Sequence, residues 1–126
     1  MVGLVIVSHS ARLAEGVVDL ARMMAGAAPI AAAGGLEDGS FGTSFEKISS
    51  AVDQVYSDDG VLILMDMGSA VMTAEMVMES MEDRKIVLAD CPVAEGAVTA
   101  AVEAESGSSL EDILKELEQV GTQKKL

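Results

Sequence analysis

The sequence predicts an α/β fold: an open, mostly parallel sheet of four strands with helices on both faces. Four short apolar runs begin near residues 2, 29, 61 and 85, and a stretch with helical periodicity follows each of them. The intervals are long enough for the crossover helices that neighbouring parallel strands require. Because such crossovers are right-handed and allow few topologies, we expect the first strand to lie inside the sheet.

The first strand and the first helix have the clearest signals. Residues 2–7 are mostly β-branched and lack polar alternation, which is typical of a strand covered on both faces. The pattern changes to a helical period at Ala11, and Gly26 is expected to end this helix. Its predicted apolar face consists of Leu13, Val17, Leu20 and Met24.

The second unit repeats this plan. Residues 29–33 form a short apolar strand, and residues 34–42 form a glycine-rich loop. Thr43 and Glu46 then match a capping box, which predicts the start of a helix. The side chains that this helix is expected to bury are Phe45, Ile48, Val52 and Val55.

The third unit has a strand at residues 61–65, a turn at residues 66–69 and a methionine-rich helix. We interpret the methionines of that helix as core-filling side chains at helical spacing: Met72, Met76, Met78 and Met81. On this interpretation the helix packs on the sheet through its methionine side chains.

The last strand is expected at residues 85–89, with two helices after it. One helix begins at about Pro92, because proline suits the first helical position. The other begins at about Ser109, with Ser108 and Glu111 as its capping residues.

The length of 126 residues suits one compact unit, so we expect a single domain over residues 1–126. Its tail at 122–126 is expected to be frayed. No apolar run approaches the ~20 residues of a bilayer-spanning helix. The N-terminus also lacks the basic stretch of a secretory signal. We therefore expect a soluble cytoplasmic protein that does not bind membranes.

Composition excludes several classes of function. Eight Lys+Arg against 21 Asp+Glu give a net charge of −13, and aromatic residues make up only 2% of the chain. Such a chain repels nucleic-acid backbones and anionic lipid, and it has too few aromatic rings to stack on bases. One histidine, His9, and one cysteine, Cys91, are too few for a metal cage or an internal disulfide. Cys91 is interpreted as a small buried hydrophobic residue.

Two side chains that can take part in a reaction each follow a strand of the predicted sheet. His9 comes directly after the first strand and Asp66 directly after the third. If those strands are neighbours, both side chains lie at the carboxyl edge of the sheet, where α/β proteins bind ligands. Ser10, Thr43 and Ser69 each stand where a helix is expected to begin, so helix N-termini would converge on the imidazole.

This arrangement suits a phosphoryl group carried on His9. Helix N-termini favour negative charge, and neutral imidazole is a competent nucleophile. A carboxylate beside the transferred phosphoryl would repel it, so Asp66 is expected on the opposite ring nitrogen, where it fixes tautomer and orientation. The predicted phosphate-binding residues are Ser10, Gly42, Thr43, Gly68 and Ser69. Met67 is predicted to lie on a docking rim for a partner.

These motifs resemble those of a known family. The run VGLVIVSHS at 2–10, the pair Gly42-Thr43 and above all MDMGSA at 65–70 resemble the phosphotransfer subunits of phosphoenolpyruvate-dependent dihydroxyacetone kinases. Those subunits belong to the mannose-type enzyme IIA group of the sugar phosphotransferase system. Members carry phosphate on a histidine after the first strand, which His9 matches, and have an aspartate after the third, which Asp66 matches.

The resemblance implies a relay without cofactor or metal. Phosphorylated HPr would pass its phosphoryl group to His9, and His9 would pass it to ADP held by the nucleotide-binding subunit of the kinase. The family also implies a homodimer. In agreement, the sequence contains neither a G-x-x-x-x-G-K-[ST] loop nor a G-x-G-x-x-G motif.

Three alternatives stay open at this point. A mannose-type IIA component of a sugar transporter would use the same His9 and deliver to a IIB protein. Its family typically has Gly-Gly-Ser-Pro after the aspartate, whereas residues 67–70 read MGSA, which favours the dihydroxyacetone branch. A non-catalytic acidic binding module would use His9 and Asp66 only as caps. A His/Asp hydrolase lacks an evident nucleophile beyond Ser8 or Ser10.

Overall fold

Strands and helices alternate along the chain before two helices follow one another at its end. The computed structural model describes residues 1–126. Its elements are β1 (Gly3–Ser8), α1 (Ala11–Met24), β2 (Ile30–Gly34), α2 (Phe45–Val55), β3 (Val61–Met65), α3 (Val71–Ser80), β4 (Ile86–Ala89), α4 (Val93–Glu105) and α5 (Leu110–Val120). A 3₁₀ turn at Gly68–Ala70 leads into α3.

The sheet is parallel throughout and has the strand order β2-β1-β3-β4. The predicted α/β class and the interior position of β1 are confirmed. In register, Val7 lies opposite Ala33 on one side and Met65 on the other. The residues that follow β1 and β3 are therefore neighbours at the carboxyl edge of the sheet.

Helices cover both faces of the sheet. On one face, α1, α4 and α5 pack over Leu4 and Ile6; on the other, α2 and α3 pack over Val5 and Val7. Alternate residues of β1 thus enter separate hydrophobic clusters, which explains why this strand shows no polar alternation. None of the helices could span a bilayer, since the longest, α1, has 14 residues.

The predicted apolar face of α1 was wrong except at Val17. The helix buries Ala14, Val17, Val18 and Ala21, whereas Leu13, Leu20 and Met24 are exposed. The reason is the neighbouring helix: α4 contributes alanines to the same cluster, and small side chains let two helices approach closely. The face with the smaller side chains is therefore the one that packs.

The prediction for the methionines of α3 was wrong for Met72 and Met76. Both are exposed, while Met78 and Met81 pack partly against the core. The fully buried side chains of α3 are Ala74 and Val77. These two small side chains are enough to join α3 to the hydrophobic cluster on its face of the sheet, and Met72 and Met76 face solvent. In α2 the prediction is confirmed: Ile48, Val52 and Val55 are buried and Phe45 packs against them.

Two predicted helix caps are displaced by one residue. Ser44, and not Thr43, caps α2: its hydroxyl accepts from the Lys47 N–H at 3.1 Å. Thr43 instead shares a hydrogen bond of 2.9 Å with Thr73 of α3. The hydroxyl that caps α2 is therefore that of Ser44, which has no partner on α3.

The same displacement occurs at α5. Ser109 caps this helix by accepting from the Asp112 N–H at 3.2 Å, whereas the predicted cap Ser108 donates to Glu103 at 2.7 Å. Pro92 is the N-cap of α4 and not its first helical residue. At the starts of α2 and α5 alike, the first of two neighbouring hydroxyl residues bonds to another part of the chain, and the second caps the helix.

Candidate active site

His9 and Asp66 meet at the carboxyl edge of the sheet. His9 follows β1, Asp66 follows β3, and the parallel pairing of these strands brings Nδ1 of the ring to 3.0 Å from Oδ1 of the carboxylate. The two side chains are 22% and 10% exposed. The imidazole is therefore open to a partner, and the carboxylate is mostly covered.

Asp66 is the centre of a hydrogen-bond network. Its Oδ2 accepts from the Ser8 hydroxyl at 2.9 Å and from the His9 backbone N–H at 3.1 Å, and its Oδ1 also accepts from the Met67 N–H at 2.8 Å. Burial raises the pKa of Asp66, but the hydrogen bonds from His9 and Ser8 outweigh it, and the net pKa lies below the usual value. Asp66 is thus a carboxylate at neutral pH.

The ionised carboxylate determines the tautomer of His9. A carboxylate only accepts hydrogen bonds, so the Nδ1 that faces it must carry a proton. In a neutral ring, Nε2 then has the free lone pair. Ser69 lies on that side, with its Oγ at 2.9 Å from Nε2, and its hydroxyl donates to the lone pair. The nucleophilic nitrogen points away from Asp66 and towards the turn before α3.

Ser8 is a site residue that the sequence analysis missed. It is fully buried, donates to Asp66 and accepts from the Ser10 N–H at 3.0 Å. Its hydroxyl therefore connects the carboxylate to the start of α1. The available signal was its type: Ser8 is the only polar side chain in an otherwise apolar strand.

Hydrogen bonds change the interpretation of three predicted phosphate-binding residues. The Ser10 N–H donates to Ser8 and its hydroxyl caps α1. The Gly42 N–H donates to the His9 carbonyl at 2.9 Å, at a φ of +149° that favours glycine. Thr43 is bound to Thr73. The N–H groups of Ser10 and Gly42 therefore hold the site together and are not free donors, whereas the Ser10 hydroxyl accepts at its cap and keeps its own proton to donate.

Gly68 and Ser69 differ from those three. Their backbone N–H groups precede the first bond of the 3₁₀ turn, which joins Ala70 to the Met67 carbonyl, and they have no acceptor within the protein. Ser69 lies in the 3₁₀ turn that leads into α3, where a helix start was predicted, but its hydroxyl makes no capping bond. Two free donors thus belong to the turn that positions the Ser69 hydroxyl against Nε2.

Cys91 lies beside the site without joining its network. It lines an open cleft of about 380 Å³ with Asp66, Met67 and Gly68, between the ends of β3 and β4. The thiol is partly buried and packs against the hydrophobic core, as predicted for a small apolar side chain, and burial raises its pKa to about 11. Cys91 is therefore a neutral thiol, which is a poor nucleophile.

Comparison with known proteins defines the class. The family model described as the PTS system fructose IIA component matches residues 3–114. The phosphotransferase system component EIIA from Streptococcus agalactiae has the same fold, with a TM-score of 0.71, 16% identity and coverage of 97% of this chain and 93% of that chain. EF1359, a crystallised protein of unknown function, reaches a TM-score of 0.85 at 30% identity, over 99% and 98% of the two chains. The family model and the shared fold therefore assign this chain to the IIA components of phosphotransferase systems.

Curated relatives narrow the class. The chain is 39% identical over 118 residues to the "PTS-dependent dihydroxyacetone kinase, phosphotransferase subunit DhaM" of Lactococcus lactis, with 94% of each chain covered. It is 36% identical over 118 residues to a DhaM phosphoryl donor subunit of Listeria innocua, again with 94% of each covered. The DhaM of Escherichia coli is 41% identical over 121 residues, but the chain spans only 26% of its length. The chain belongs to the DhaM subunits of this IIA family.

Proposed function

We propose that the protein is a phosphohistidine carrier. It accepts a phosphoryl group from phosphorylated HPr on Nε2 of His9 and passes it to ADP bound to the nucleotide-binding subunit of a dihydroxyacetone kinase. The observation that carries this proposal is the 3.0 Å contact between Nδ1 of His9 and Asp66, because a proton on Nδ1 leaves Nε2 unprotonated, with a lone pair that attacks phosphorus once the Ser69 hydroxyl releases it. Relatives named as phosphoryl donor subunits support the role.

In the loading step, the lone pair of Nε2 attacks the phosphorus atom of phospho-HPr. The new N–P bond forms while the bond between phosphorus and the donor nitrogen breaks, and the electron pair of that bond returns to HPr. The ring of His9 then has substituents on both nitrogens and gains positive character. Asp66 stabilises it, since the carboxylate lies 3.0 Å from the protonated Nδ1.

The turn before α3 receives the transferred group. Ser69 must release Nε2 when the N–P bond forms, and its hydroxyl then donates to a phosphoryl oxygen. The free N–H groups of Gly68 and Ser69 supply two further neutral donors. Neutral donors suit a carrier, because a tight cationic clamp would hinder release.

In the discharge step, an oxygen of the terminal phosphate of ADP attacks the same phosphorus atom. The P–Nε2 bond breaks, its electron pair returns to the imidazole, and ATP forms on the recipient subunit. No cofactor or metal on this chain takes part in either step. The proposal also includes a homodimer in the cytoplasm, as the family resemblance implies.

The test is a reconstituted relay with phosphoenolpyruvate, enzyme I and HPr. The native protein should acquire one acid-labile, base-stable phosphoryl group, and His9→Ala should acquire none. Discharge is then measured with the ADP-loaded kinase subunit and, separately, with a sugar-specific IIB protein. Label on His9→Ala, or no label on the native protein beside an active control acceptor, would contradict the carrier role. Discharge to the IIB protein alone would identify a sugar transporter component instead.

A further inference from the structure

Ser8 contacts Asp66 from inside the fold, through the carboxylate oxygen that the His9 ring does not contact. The Ser8 hydroxyl lies 2.9 Å from Oδ2 of Asp66, whereas Nδ1 of His9 lies 3.0 Å from Oδ1. Ser8 is the last residue of β1 and is fully buried, so solvent does not reach its hydroxyl. The serine therefore acts on the carboxylate and has no hydrogen bond to the ring itself.

The proton of the Ser8 hydroxyl points to Asp66. The Ser10 N–H donates to the hydroxyl oxygen at 3.0 Å, which fixes the orientation of that oxygen, and a carboxylate can only accept. The backbone N–H of His9 donates to the same Oδ2 at 3.1 Å. Two donors held by the fold thus converge on the carboxylate oxygen that is not bonded to the ring. Both stabilise the negative charge of Asp66.

Phosphorylation changes the demand on the contact between His9 and Asp66. Before loading, the ring is neutral and has its proton on Nδ1. Once Nε2 carries a phosphoryl group, the ring gains positive character and the Nδ1 proton becomes more acidic. That proton then either stays on Nδ1 or moves across the 3.0 Å contact to Oδ1 of Asp66. Its position depends on how strongly the surroundings stabilise the charge of the carboxylate.

The position of this proton determines the leaving group in discharge. With the proton on Nδ1, the P–Nε2 bond breaks, its electron pair returns to the ring, and the ring leaves as neutral imidazole. With the proton on Asp66, the same step expels an imidazolate anion, which is far more basic and leaves poorly. A larger share of molecules with the proton on Nδ1 therefore means faster discharge.

We propose that Ser8 is a positioning residue for discharge: its hydrogen bond to Asp66 keeps the proton on Nδ1 of phosphorylated His9, so that the ring leaves as neutral imidazole. The inference rests on the proposed carrier function and adds a residue to it. A hydrogen bond to a charged group shifts such an equilibrium by about ten- to a hundredfold. The same bond helps to hold the pKa of Asp66 below its usual value. Without Ser8, Asp66 takes the proton in a larger share of loaded molecules.

The test compares two substitutions of Ser8 with a control on the same strand. Ser8→Ala removes the hydroxyl, and Ser8→Cys fills the same space but supplies only a weak donor. Val5→Ala is the control, because Val5 is equally buried on β1 and belongs to the hydrophobic cluster under α2 and α3. It loses interior packing without a change in the hydrogen bonds of Asp66. All variants are assayed well below their Tm.

Each protein is loaded to completion with phosphoenolpyruvate, enzyme I and HPr and is then purified. Discharge is measured as single-turnover transfer to the ADP-loaded kinase subunit and, separately, as transfer back to unphosphorylated HPr. We expect both Ser8 variants to discharge about tenfold more slowly to either acceptor, and Val5→Ala to discharge at the native rate. The slowing should be the same for both acceptors, because the proton belongs to the loaded ring.

NMR with ¹⁵N-labelled histidine gives a signature that lost stability would not produce. Nδ1 of phosphorylated His9 should carry its proton in the native protein and in Val5→Ala, and should lose it in a measurable fraction of Ser8→Ala. Discharge of Ser8→Ala at the native rate, or slow discharge with Nδ1 fully protonated, would overturn the role of Ser8. A native rate in Ser8→Cys beside a slow Ser8→Ala would point to side-chain volume and would also overturn it.

The remaining outcomes separate this inference from the carrier function. Equal slowing in Val5→Ala would assign the effect to lost stability, and slowing with one acceptor alone would assign it to the binding of that acceptor; either result contradicts the role of Ser8. If the native protein acquires no phosphoryl label, the carrier function itself fails. If the native protein is labelled and discharges, and only the comparison at Ser8 fails, the carrier function stands.

Discussion

Replacement of Asp66 by asparagine tests the assigned tautomer of His9 directly. The amide keeps the shape of the carboxylate but has a donor NH₂ group in place of one acceptor oxygen. The two oxygens of Asp66 accept from four donors: Ser8 and the His9 backbone at Oδ2, and the His9 ring and the Met67 backbone at Oδ1. An asparagine has an oxygen at one of these positions and an NH₂ group at the other. In either orientation of the amide, its NH₂ group faces groups that are themselves hydrogen-bond donors.

The surroundings favour the orientation with the NH₂ group against the ring. In the other orientation the fully buried Ser8 hydroxyl loses its acceptor and the part-buried His9 N–H faces a donor. Against the ring, the one opposed backbone group is the exposed N–H of Met67, which can bond to water. His9 adapts by moving its proton to Nε2, where Ser69 accepts it. The free lone pair is then on the wrong nitrogen.

We expect Asp66→Asn to load His9 about 10²–10³ times more slowly than the native protein, or about 3–4 kcal/mol in activation free energy. Asp66→Ala should lose less, because an unrestrained ring populates both tautomers. Rapid-quench transfer from phospho-HPr gives the rates, and ¹⁵N NMR of the ring gives the protonated nitrogen. If the asparagine variant loads faster than the alanine variant and keeps its proton on Nδ1, the reasoning is refuted.

Three further predictions concern stability. Ser8→Ala removes a hydrogen bond to a charged group and leaves the Ser10 N–H without its acceptor, so the free energy of unfolding in urea should fall by about 2–4 kcal/mol; a loss under about 1 kcal/mol would contradict the network. In Gly34→Ala the new Cβ would lie 2.6 Å from the Ser10 carbonyl oxygen, so Tm should fall; Gly16→Ala, with open space around it, should keep or raise Tm, and equal shifts would argue against the close approach. The lowered pKa of Asp66 stabilises the fold above its unfolded pKa of ~3.9, and this contribution disappears as pH falls through the lower folded pKa. The difference in unfolding free energy between native protein and Asp66→Ala should therefore shrink in acid, and a constant difference from pH 6 downwards would refute this.

The fold followed from the sequence because strand patterns and crossover lengths are local signals. Residues 2–7 indicated a doubly covered strand, and β1 is buried on both faces of the sheet. Which side of each helix packs was not predictable in the same way. Leu13 and Met72 are apolar at helical spacing, yet both are exposed, since the neighbouring elements determine which face is covered.

The candidate site was predictable to the extent that strand ends place residues together. His9 and Asp66 each end a strand, and adjacency of β1 and β3 brings them into contact. The rest depended on competition between hydrogen-bond partners. Ser69 lies at a helical start as predicted, but its hydroxyl binds Nε2, and the Gly42 N–H binds the His9 carbonyl. Neither bond was predictable, because the two partners of each bond are far apart in sequence.

The hydrogen bond from Ser69 to Nε2 also has a consequence for timing. Its hydroxyl and a phosphoryl group need the same lone pair, so on the carrier proposal the two can never be bound at once. The conformation of the turn before α3 would then differ between phosphorylated and unphosphorylated molecules. Each partner could recognise the state of the carrier before reaching the histidine, which would spare the relay unproductive encounters.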